Sequence, residues 1–311
     1  MGDRMTTITA ADVKKLRDMT GAGMMDCKTA LTETNGDIEA AVDWLRKKGL
    51  SKAAKKSGRI AADGLIGIVA RGRAGAVVEV NSETDFVARN EQFQQMVRDI
   101  AAAALKVGGD FEKLKAAKLG KSTVEGHITD MIATIGENMS LRRSAGLSVK
   151  EGAVATYMHG AVAPMLGKIG VLVALESSGD AAKVNEFGRK VAMHIAAANP
   201  QAVTEDGLDK ELIARERALY EDQAKQTGKA PEIAAKMAEG RLKKEFFNQV
   251  VLLAQVFVID GKETVGNVLK AFEKELGAPV KITGFVRYAL GEGIDKKTED
   301  FAAEVAKMTK G

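Results

Sequence analysis

The sequence predicts an α+β fold in which a helical module precedes two related strand–helix units. Three observations predict this organisation. Apolar residues recur at helical spacing from residue 13 to residue 45. Two apolar runs, 75–80 and 170–175, are each followed by a helical pattern, which after the first run places Phe93, Met96, Val97 and Ile100 at helical spacing. A polar helical stretch with a central turn then interrupts the second unit. A chain of 311 residues can bury several cores, so we expect more than one domain.

The composition is that of an ordinary globular protein and excludes several classes of protein. Hydrophobic residues make up 45% and charged residues 28%, while aromatic residues are only 5%, which favours helices. The net charge of +4 fits an acidic protein partner at least as well as a nucleic acid. The single cysteine, Cys27, excludes an intramolecular disulfide and a multi-cysteine metal site. Because no membrane-spanning run or signal-peptide core is present, we expect a cytoplasmic protein with no membrane partner.

The pattern of apolar and capping residues from position 7 to about position 49 predicts a three-helix module. Thr9 precedes the first helical pattern and Asp37 precedes the third, and both residue types are favoured as N-caps. We expect the third helix to end at Gly49, because glycine commonly follows a helix C-terminus. A core this small is marginally stable alone, which favours a docking element over a catalytic domain.

A basic stretch follows the module, with no acidic residue between Asp43 and Asp63. It has two interpretations, a solvated linker and a nucleic-acid-binding segment. The linker is favoured because the stretch has no aromatic side chain to stack on bases, so we expect no nucleic-acid partner. We assign the module with this linker to residues 1–54. The basic residues of the stretch are Lys52, Lys55, Lys56 and Arg59.

The two strand–helix units are related by an internal repeat. Gly75–Val80 aligns with Gly170–Leu175 at an offset of 95 residues, and Ile100–Ala103 aligns with Ile195–Ala198 at the same offset. Two copies are too few for a solenoid, so we expect two related α+β core subdomains. The assigned ranges are 55–150 for the first subdomain and 151–204 with 248–291 for the second.

Helical segments account for most of the remaining chain. Between the two units, 130–143 is predicted as a helical insert. Residues 205–247 predict an inserted antiparallel helical hairpin, a coiled-coil-like projection whose turn is Gly228–Pro231. Ile282–Tyr288 follows as a strand, and 292–311 is predicted to contain a C-terminal helix.

The strand-to-helix junction of the first unit carries the most informative residues, Thr84, Asp85, Phe86 and Val87. An acid beside a large aromatic residue at a rigid junction can act as a probe for another molecule. Alternatively, Phe86 folds onto the core and Asp85 caps the next helix. The repeat pairs Phe86 with Ala181, so packing does not demand an aromatic residue there. The residues alone leave both interpretations open.

No motif for cofactor or substrate chemistry is present. Gly120-Lys121-Ser122 resembles the end of a phosphate-binding loop, but that motif requires a glycine where Lys115 stands. His127, His159 and His194 lack the spacing of metal ligands. We therefore expect no cofactor, no metal, no directly bound nucleotide and no enzymatic activity. The pattern favours a protein that acts on another protein.

Several segments resemble the elongation factor Ts family, in the same order along the chain. Leu16–Lys28 resembles the first family signature and Glu79–Arg89 resembles the second. The resemblance spans nearly the whole sequence. Further matches are Ile135–Asn138, Tyr157–Gly160, Gly228–Pro231, Glu239–Arg241 and Gly284–Arg287.

The resemblance implies a guanine-nucleotide exchange factor for elongation factor Tu, a GTPase of protein biosynthesis. In this family the acid and the aromatic residue of the second signature intrude near the magnesium site of the GTPase. Here these are Asp85 and Phe86, flanked by Thr84 and Val87. The resemblance also implies that the N-terminal module, which is UBA-like, and the C-terminal helix grip the GTPase.

The resemblance implies further contacts as well. Ile135, Gly136 and His159 are implied to lie on the same contact surface. One departure from the family pattern is the longer stretch Ala161–Leu166, which separates His159 from Gly167–Gly170. The hairpin is implied to make dimer contacts in some members, so a homodimer or a dimer of heterodimers is a further expectation.

Two other functions remain open beside the exchange factor. A scaffold would hold a partner through the three-helix module, and it predicts that residues 1–50 alone retain full binding. An enzyme with a phosphate site at 120–122 would require measurable nucleotide affinity of the isolated chain.

Overall fold

Three helices form the N-terminal module, and side-chain caps set where two of them begin. The computed structural model describes residues 8–228 and 230–295. Thr9 caps the first helix and Asp37 caps the third, as predicted, each by accepting a hydrogen bond from a backbone N–H group of its helix. The helices are α1 (Ala10–Thr20), α2 (Met24–Glu33) and α3 (Ile38–Lys56).

The prediction that Gly49 ends the third helix is wrong. α3 continues through Gly49 to Lys56, so most of the basic stretch forms its last two turns rather than a solvated linker. Gly49 is buried where α3 crosses a later helix, and a Cβ atom on it would lie 3.3 Å from the Cβ atom of Ala133. Lys52 donates a hydrogen bond to the carboxylate of Asp26 at 2.7 Å. Close packing against that later helix therefore explains why a glycine stands at position 49, and Lys52 of the basic stretch forms an ion pair with Asp26.

The first unit begins with a strand hairpin and ends with a returning strand. Its antiparallel core has one strand flanked by two others, and its long helix packs on the sheet through the apolar positions that its spacing indicated: Phe93, Met96, Val97 and Ile100. The elements are β1 (Asp63–Arg71), β2 (Ala74–Ser82), α4 (Asp85–Ala88), α5 (Glu91–Lys106), α6 (Phe111–Ala116), β3 (Lys118–Leu119), β4 (Ser122–Thr123), α7 (Val124–Ile135) and β5 (Met139–Ser148). β2 pairs with β1 and with β5.

The helical insert predicted at 130–143 is only partly helical. α7 ends at Ile135, and Gly136 takes the left-handed conformation, with φ at 92°, that commonly closes a helix. The chain then enters β5 at Met139. The helix predicted from spacing is therefore shorter, and a strand of the sheet takes its second half.

The second unit has the same strand-then-helix core. Its first elements are β6 (Ala153–His159), β7 (Leu166–Gly167), β8 (Ile169–Glu176) and α8 (Ala181–Ala198). β6 and β8 are antiparallel, and α8 packs against them. The short β7 pairs with the outer edge of β1, so the first sheet has the strand order β5–β2–β1–β7.

Two aligned glycines let the sheets of the two units approach closely. A Cβ atom on Gly75 of β2 would lie 2.8 Å from Cγ1 of Val154 in β6. A Cβ atom on Gly170 of β8 would lie 2.6 Å from Cγ2 of Ile66 in β1. Both distances are shorter than packed side chains allow, so each glycine serves the contact with the opposite sheet. The internal repeat thus includes a shared packing requirement.

A helical hairpin separates α8 from the end of the second unit. Pro231 begins its second arm, as the turn predicted, and 242–247 is wound as a π-helix. The remaining elements are α9 (Lys210–Gln226), α10 (Pro231–Arg241), α11 (Asn248–Val250), α12 (Val265–Leu276) and β9 (Lys281–Ala289). β9 completes a second sheet of order β6–β8–β9. The C-terminal helix predicted within 292–311 lies outside the described residues, which end at Asp295.

Candidate partner-binding site

The helix that follows the strand is broken in the first unit and continuous in the second. α8 begins at Ala181, the residue that aligns with Phe86, and runs without interruption. In the first unit α4 ends after one turn, and Asn90 starts α5 by accepting hydrogen bonds from the N–H groups of Gln92 and Phe93 at 2.9 and 3.1 Å. α4 is therefore a separate turn, and its side chains need not follow the buried face of α5.

Phe86 projects from this turn into solvent. It is 75% exposed, the largest fraction among the large apolar residues of the described ranges. Its neighbour Val87 is 4% exposed and packs into the core of the first unit. The interpretation in which Phe86 folds onto the core is therefore wrong, and Val87 is the residue that anchors the turn.

Asp85 is exposed beside Phe86 and does not cap α5, because Asn90 has that role. Its carboxylate lies 3.9 Å from the guanidinium of Arg89, and both side chains are well exposed to solvent. Such a pair contributes little to stability. The side chains of Asp85 and Phe86 thus lie next to each other on the surface, on a turn that Val87 anchors in the core.

The carboxylate of Glu137, which lies between α7 and β5, fixes the turn that carries Phe86. The backbone N–H and the hydroxyl of Thr84 both donate hydrogen bonds to Glu137, at 3.0 and 2.7 Å. In the opposite direction, Glu83 accepts a hydrogen bond from the N–H of Asn138 at 2.5 Å. The two segments that the sequence singled out, Thr84–Val87 and Ile135–Asn138, are therefore in direct contact.

Gly136 and Ile135 close α7 next to this contact. The carbonyl of Gly136 accepts a hydrogen bond from the ammonium group of Lys56 at the end of α3. The side chain of Ile135 is half-buried against the core of the first unit. The last turn of α3 therefore reaches the same corner of the molecule as the Phe86 turn.

His159 lies on β6, a strand of the second sheet, and not in the first unit with the Phe86 turn. It is exposed at the end of β6, where its Nδ1 atom is 3.3 Å from the hydroxyl of Tyr157. Within the ranges that the structure describes, no hydrogen bond or ion pair joins His159 to residues 84–87. The structure brings together the predicted residues around Thr84 and Gly136, and leaves His159 on the second sheet.

Comparison with known proteins gives the family. A family model described as "Elongation factor TS" matches residues 83–292. The chain belongs to the elongation factor Ts family. It is similar to proteins named elongation factor Ts from Parvibaculum lavamentivorans, Nitrobacter hamburgensis and Bartonella quintana, with 60%, 59% and 58% identity. These alignments cover 99%, 97% and 98% of this chain, and 100%, 98% and 100% of those proteins.

The region that matches the elongation factor Ts model begins and ends at residues of hydrogen-bond networks. It starts at Glu83, which binds Asn138, and closes at Glu292 after β9. Glu83 and Glu137 lie within two of the segments that resemble the family, but no pattern in the sequence predicts a role for either carboxylate. The available signal was weak, because nothing in a linear motif shows that two motifs exchange carboxylates.

A buried carboxylate ties the second signature to the segment after β9. Glu79 is fully buried and accepts hydrogen bonds from Arg142 at 3.0 Å, Arg143 at 2.5 Å and the N–H of Gly291 at 2.8 Å. Burial raises the pKa of this carboxyl, but the hydrogen bonds from Gly291 and Arg143 outweigh it and hold the pKa of Glu79 below its usual value. Arg142 also donates to the carbonyl of Glu292 at 2.6 Å. The network fixes where the chain leaves β9.

The candidate phosphate loop has another structure. Gly120 and Lys121 form the turn between β3 and β4, rather than a glycine-rich loop leading from a strand into a helix. The turn lines a cavity of about 890 Å³ between the N-terminal module and the first unit. Asp26, Lys52 and Asp99 also line it, so its charges are mixed.

Residues 8–228 and 230–295 contain neither a metal-binding cluster nor a membrane-spanning helix. No group of three or more His, Cys, Asp or Glu side chains there is arranged to hold a metal ion. Within the same ranges, no helix has the length and apolar character needed to cross a membrane.

Proposed function

We propose that this protein is a guanine-nucleotide exchange factor for elongation factor Tu, acting in the cytoplasm during translation elongation. Family membership supports the reaction and the partner. The exposure of Phe86 on a turn that is tied at Thr84 carries the proposal, because an apolar ring kept in solvent by its own fold is suited to insertion elsewhere.

Insertion of Phe86 and Asp85 near the nucleotide site would loosen bound GDP in two ways. Burial of the Phe86 ring in an apolar slot contributes about 1.5–3 kcal/mol toward a local rearrangement of the GTPase. The Asp85 carboxylate brings negative charge to a site that holds Mg²⁺ and phosphate. Mg²⁺ requires near-ideal octahedral coordination, so a small displacement of its surroundings weakens nucleotide binding.

Exchange of this kind needs no substrate chemistry from the factor itself. By linkage, whatever weakens GDP on the GTPase weakens the factor equally when GDP is bound. Incoming nucleotide therefore releases the factor, which accelerates exchange in both directions. The protein acts as a protein catalyst that holds no nucleotide or cofactor of its own.

The test is release of fluorescent GDP from elongation factor Tu. Wild-type protein should accelerate release strongly, and Phe86→Ala should lose about tenfold or more of that acceleration. Val256→Ala is the matched control, because it trims another exposed apolar side chain far along the chain. No acceleration by folded wild-type protein would refute the proposal. Equal loss in the Val256 variant would remove the special role of Phe86.

We also propose that Ile135, Gly136 and His159 contact the GTPase outside the Phe86 turn. Gly136 lies beside the turn through its neighbour Glu137, and His159 presents an exposed imidazole at the end of β6. These contacts would serve binding rather than displacement. His159→Ala should therefore raise the half-saturating concentration of the factor while leaving the maximal rate of GDP release nearly unchanged.

Self-association through the hairpin is a separate proposal. Leu219 on α9 and Ile233 and Met237 on α10 are large apolar side chains exposed on the two arms. A second copy that covers them would bury apolar surface, which stabilises association. Sedimentation of the wild type and of Ile233→Glu tests this. A wild-type dimer that dissociates in the variant supports the proposal, and a wild-type monomer at high concentration contradicts it.

A further inference from the structure

We infer that Glu137 is a positioning residue for the Phe86 turn, acting through Thr84 rather than by touching the GTPase. This inference rests on the proposed exchange function and adds a residue to its machinery. Glu137 follows the end of α7, and Thr84 precedes α4, 53 residues earlier in the chain.

α4 cannot hold its own position. It has only four residues, and a single helical turn is not stable by itself. Its N-cap residue is Thr84, but the hydroxyl of Thr84 makes no capping hydrogen bond to the helix. That hydroxyl is instead donated to Glu137, and the N–H of the same residue is donated to the other carboxylate oxygen. The turn is thus held at its N-terminal end by Glu137 and at its buried side by Val87.

Both oxygens of the Glu137 carboxylate are used by this one contact. Within the described part of the chain, its hydrogen bonds go to Thr84 alone, and no ion pair involves it. Hydrogen bonds to an ionised carboxylate are stronger than bonds between neutral groups. A bidentate pair also fixes orientation, so Glu137 sets the direction in which α4 starts as well as its location.

Three neighbouring contacts hold Glu137 in place. Gly136 turns the backbone with its left-handed conformation, and its carbonyl binds Lys56. On the other side, Asn138 donates its backbone N–H to Glu83 and its side-chain amide to the carbonyl of Arg59 at 2.7 Å. The carboxylate exchange is therefore reciprocal, and α3 is connected to it.

A positioning role makes a prediction that a direct contact with the GTPase does not make. If Glu137 acts by orienting the turn, its removal should matter much less once the Phe86 ring is gone, because only the orientation of Asp85 is then left to lose. If Glu137 touches the partner, the losses in the double variant should multiply, because independent sites are additive in free energy.

The experiment is a double-mutant cycle of Glu137→Ala and Phe86→Ala, with maximal rate and half-saturating concentration of GDP release measured separately. Glu137→Ala should lower the maximal rate about tenfold in the wild-type background and less than about twofold in the Phe86→Ala background. Glu137→Gln should retain part of the rate, because its amide can accept from one Thr84 donor and donate to the hydroxyl. Glu125→Ala is the control, since it removes an exposed carboxylate from the first turn of α7.

Amide hydrogen exchange of the isolated protein tests the same inference without the GTPase. Protection of the peptide containing residues 84–88 should fall in Glu137→Ala and stay unchanged in Glu125→Ala. Unchanged protection in both variants, or multiplicative losses in the cycle, would overturn the positioning role. If wild-type protein fails to accelerate GDP release, the exchange function fails, while the protection measurement still decides whether Glu137 orders the turn.

Discussion

Phe86 and Ala181 occupy aligned positions, 95 residues apart, in two units that each contain a strand followed by a helix. Ala181 begins a continuous helix that Asp180 caps by accepting hydrogen bonds from the N–H groups of Ala182 and Lys183, both at 2.9 Å. Phe86 stands on an isolated turn and faces solvent. The second unit folds without an aromatic side chain at this position, so the ring of Phe86 is not required for packing.

The neighbours Phe86 and Val87 should separate activity from stability. Phe86→Ala should change the free energy of unfolding by less than about 0.5 kcal/mol, because its side chain is exposed. Val87→Ala should cost about 2 kcal/mol, because it removes buried methyl groups from the core. Urea unfolding of both variants gives the two values. A large loss for Phe86→Ala would return the ring to the core.

The aligned glycines predict a second contrast. Gly75→Ala and Gly170→Ala should each destabilise the protein by about 1–3 kcal/mol, because the new methyl group would overlap the opposite sheet. Gly240→Ala is the control, since the residue is inside α10 and, apart from its chain neighbours and the backbone of its own helix, no heavy atom lies within 4 Å of a Cβ atom there. That variant should gain about 0.5–1 kcal/mol from helix propensity. Thermal unfolding of the three variants measures the difference. Equal changes in the unfolding midpoint for all three would mean that the two sheets can move apart without a cost in stability.

Local patterns predicted most elements of the fold. Caps at Thr9 and Asp37, the turn before Pro231 and the apolar face of α5 were all confirmed, because each depends on residues a few positions apart. The end of α3 was predicted wrongly. Gly49 ends no helix because a helix far along the chain packs against it, and a local rule contains no information about that contact.

The candidate site was predicted in part for the same reason. The repeat drew attention to Phe86 but left both interpretations of its side chain open, and the structure shows that this side chain is exposed. The partners that hold the turn could not be predicted, since Glu137 meets Thr84 across 53 residues and a register of strands determines that they meet. The break at Asn90 was missed because an Asn inside a helical pattern has no unique meaning until its side chain is seen to cap α5.

The length of α3 bears on the scaffold hypothesis. A fragment of residues 1–50 would end within α3 and lose the hydrogen bond from Lys52 to Asp26 and the bond from Lys56 to Gly136. We expect this fragment to bind elongation factor Tu far more weakly than the full chain does. Calorimetric titration of both proteins measures the difference. Equal affinity would support the scaffold and would leave the Phe86 turn without a role in binding.

A buried histidine, His194, should make the stability of the second unit depend on pH. The Nδ1 atom of His194 accepts a hydrogen bond from the N–H of Val258 at 3.2 Å, which assigns the ring proton to Nε2, 2.8 Å from Oε1 of Gln255. Burial lowers the pKa of His194 from its ordinary value of 6.5, and the hydrogen bond with Gln255 opposes this only in part. The neutral ring therefore belongs to the folded state.

The sign of the effect follows from proton binding. With a folded pKa below the unfolded value of 6.5, the unfolded chain binds more protons, so the free energy of unfolding should fall as the pH drops below 6.5. Urea unfolding between about pH 7 and pH 5, above the range of most carboxyl groups, measures the slope. His194→Gln should be less stable than the wild type at pH 7 but should lose less stability on acidification. Parallel slopes for the wild type and the His194 variant would mean that the ring accepts a proton in place, with its contact to Val258 rearranged.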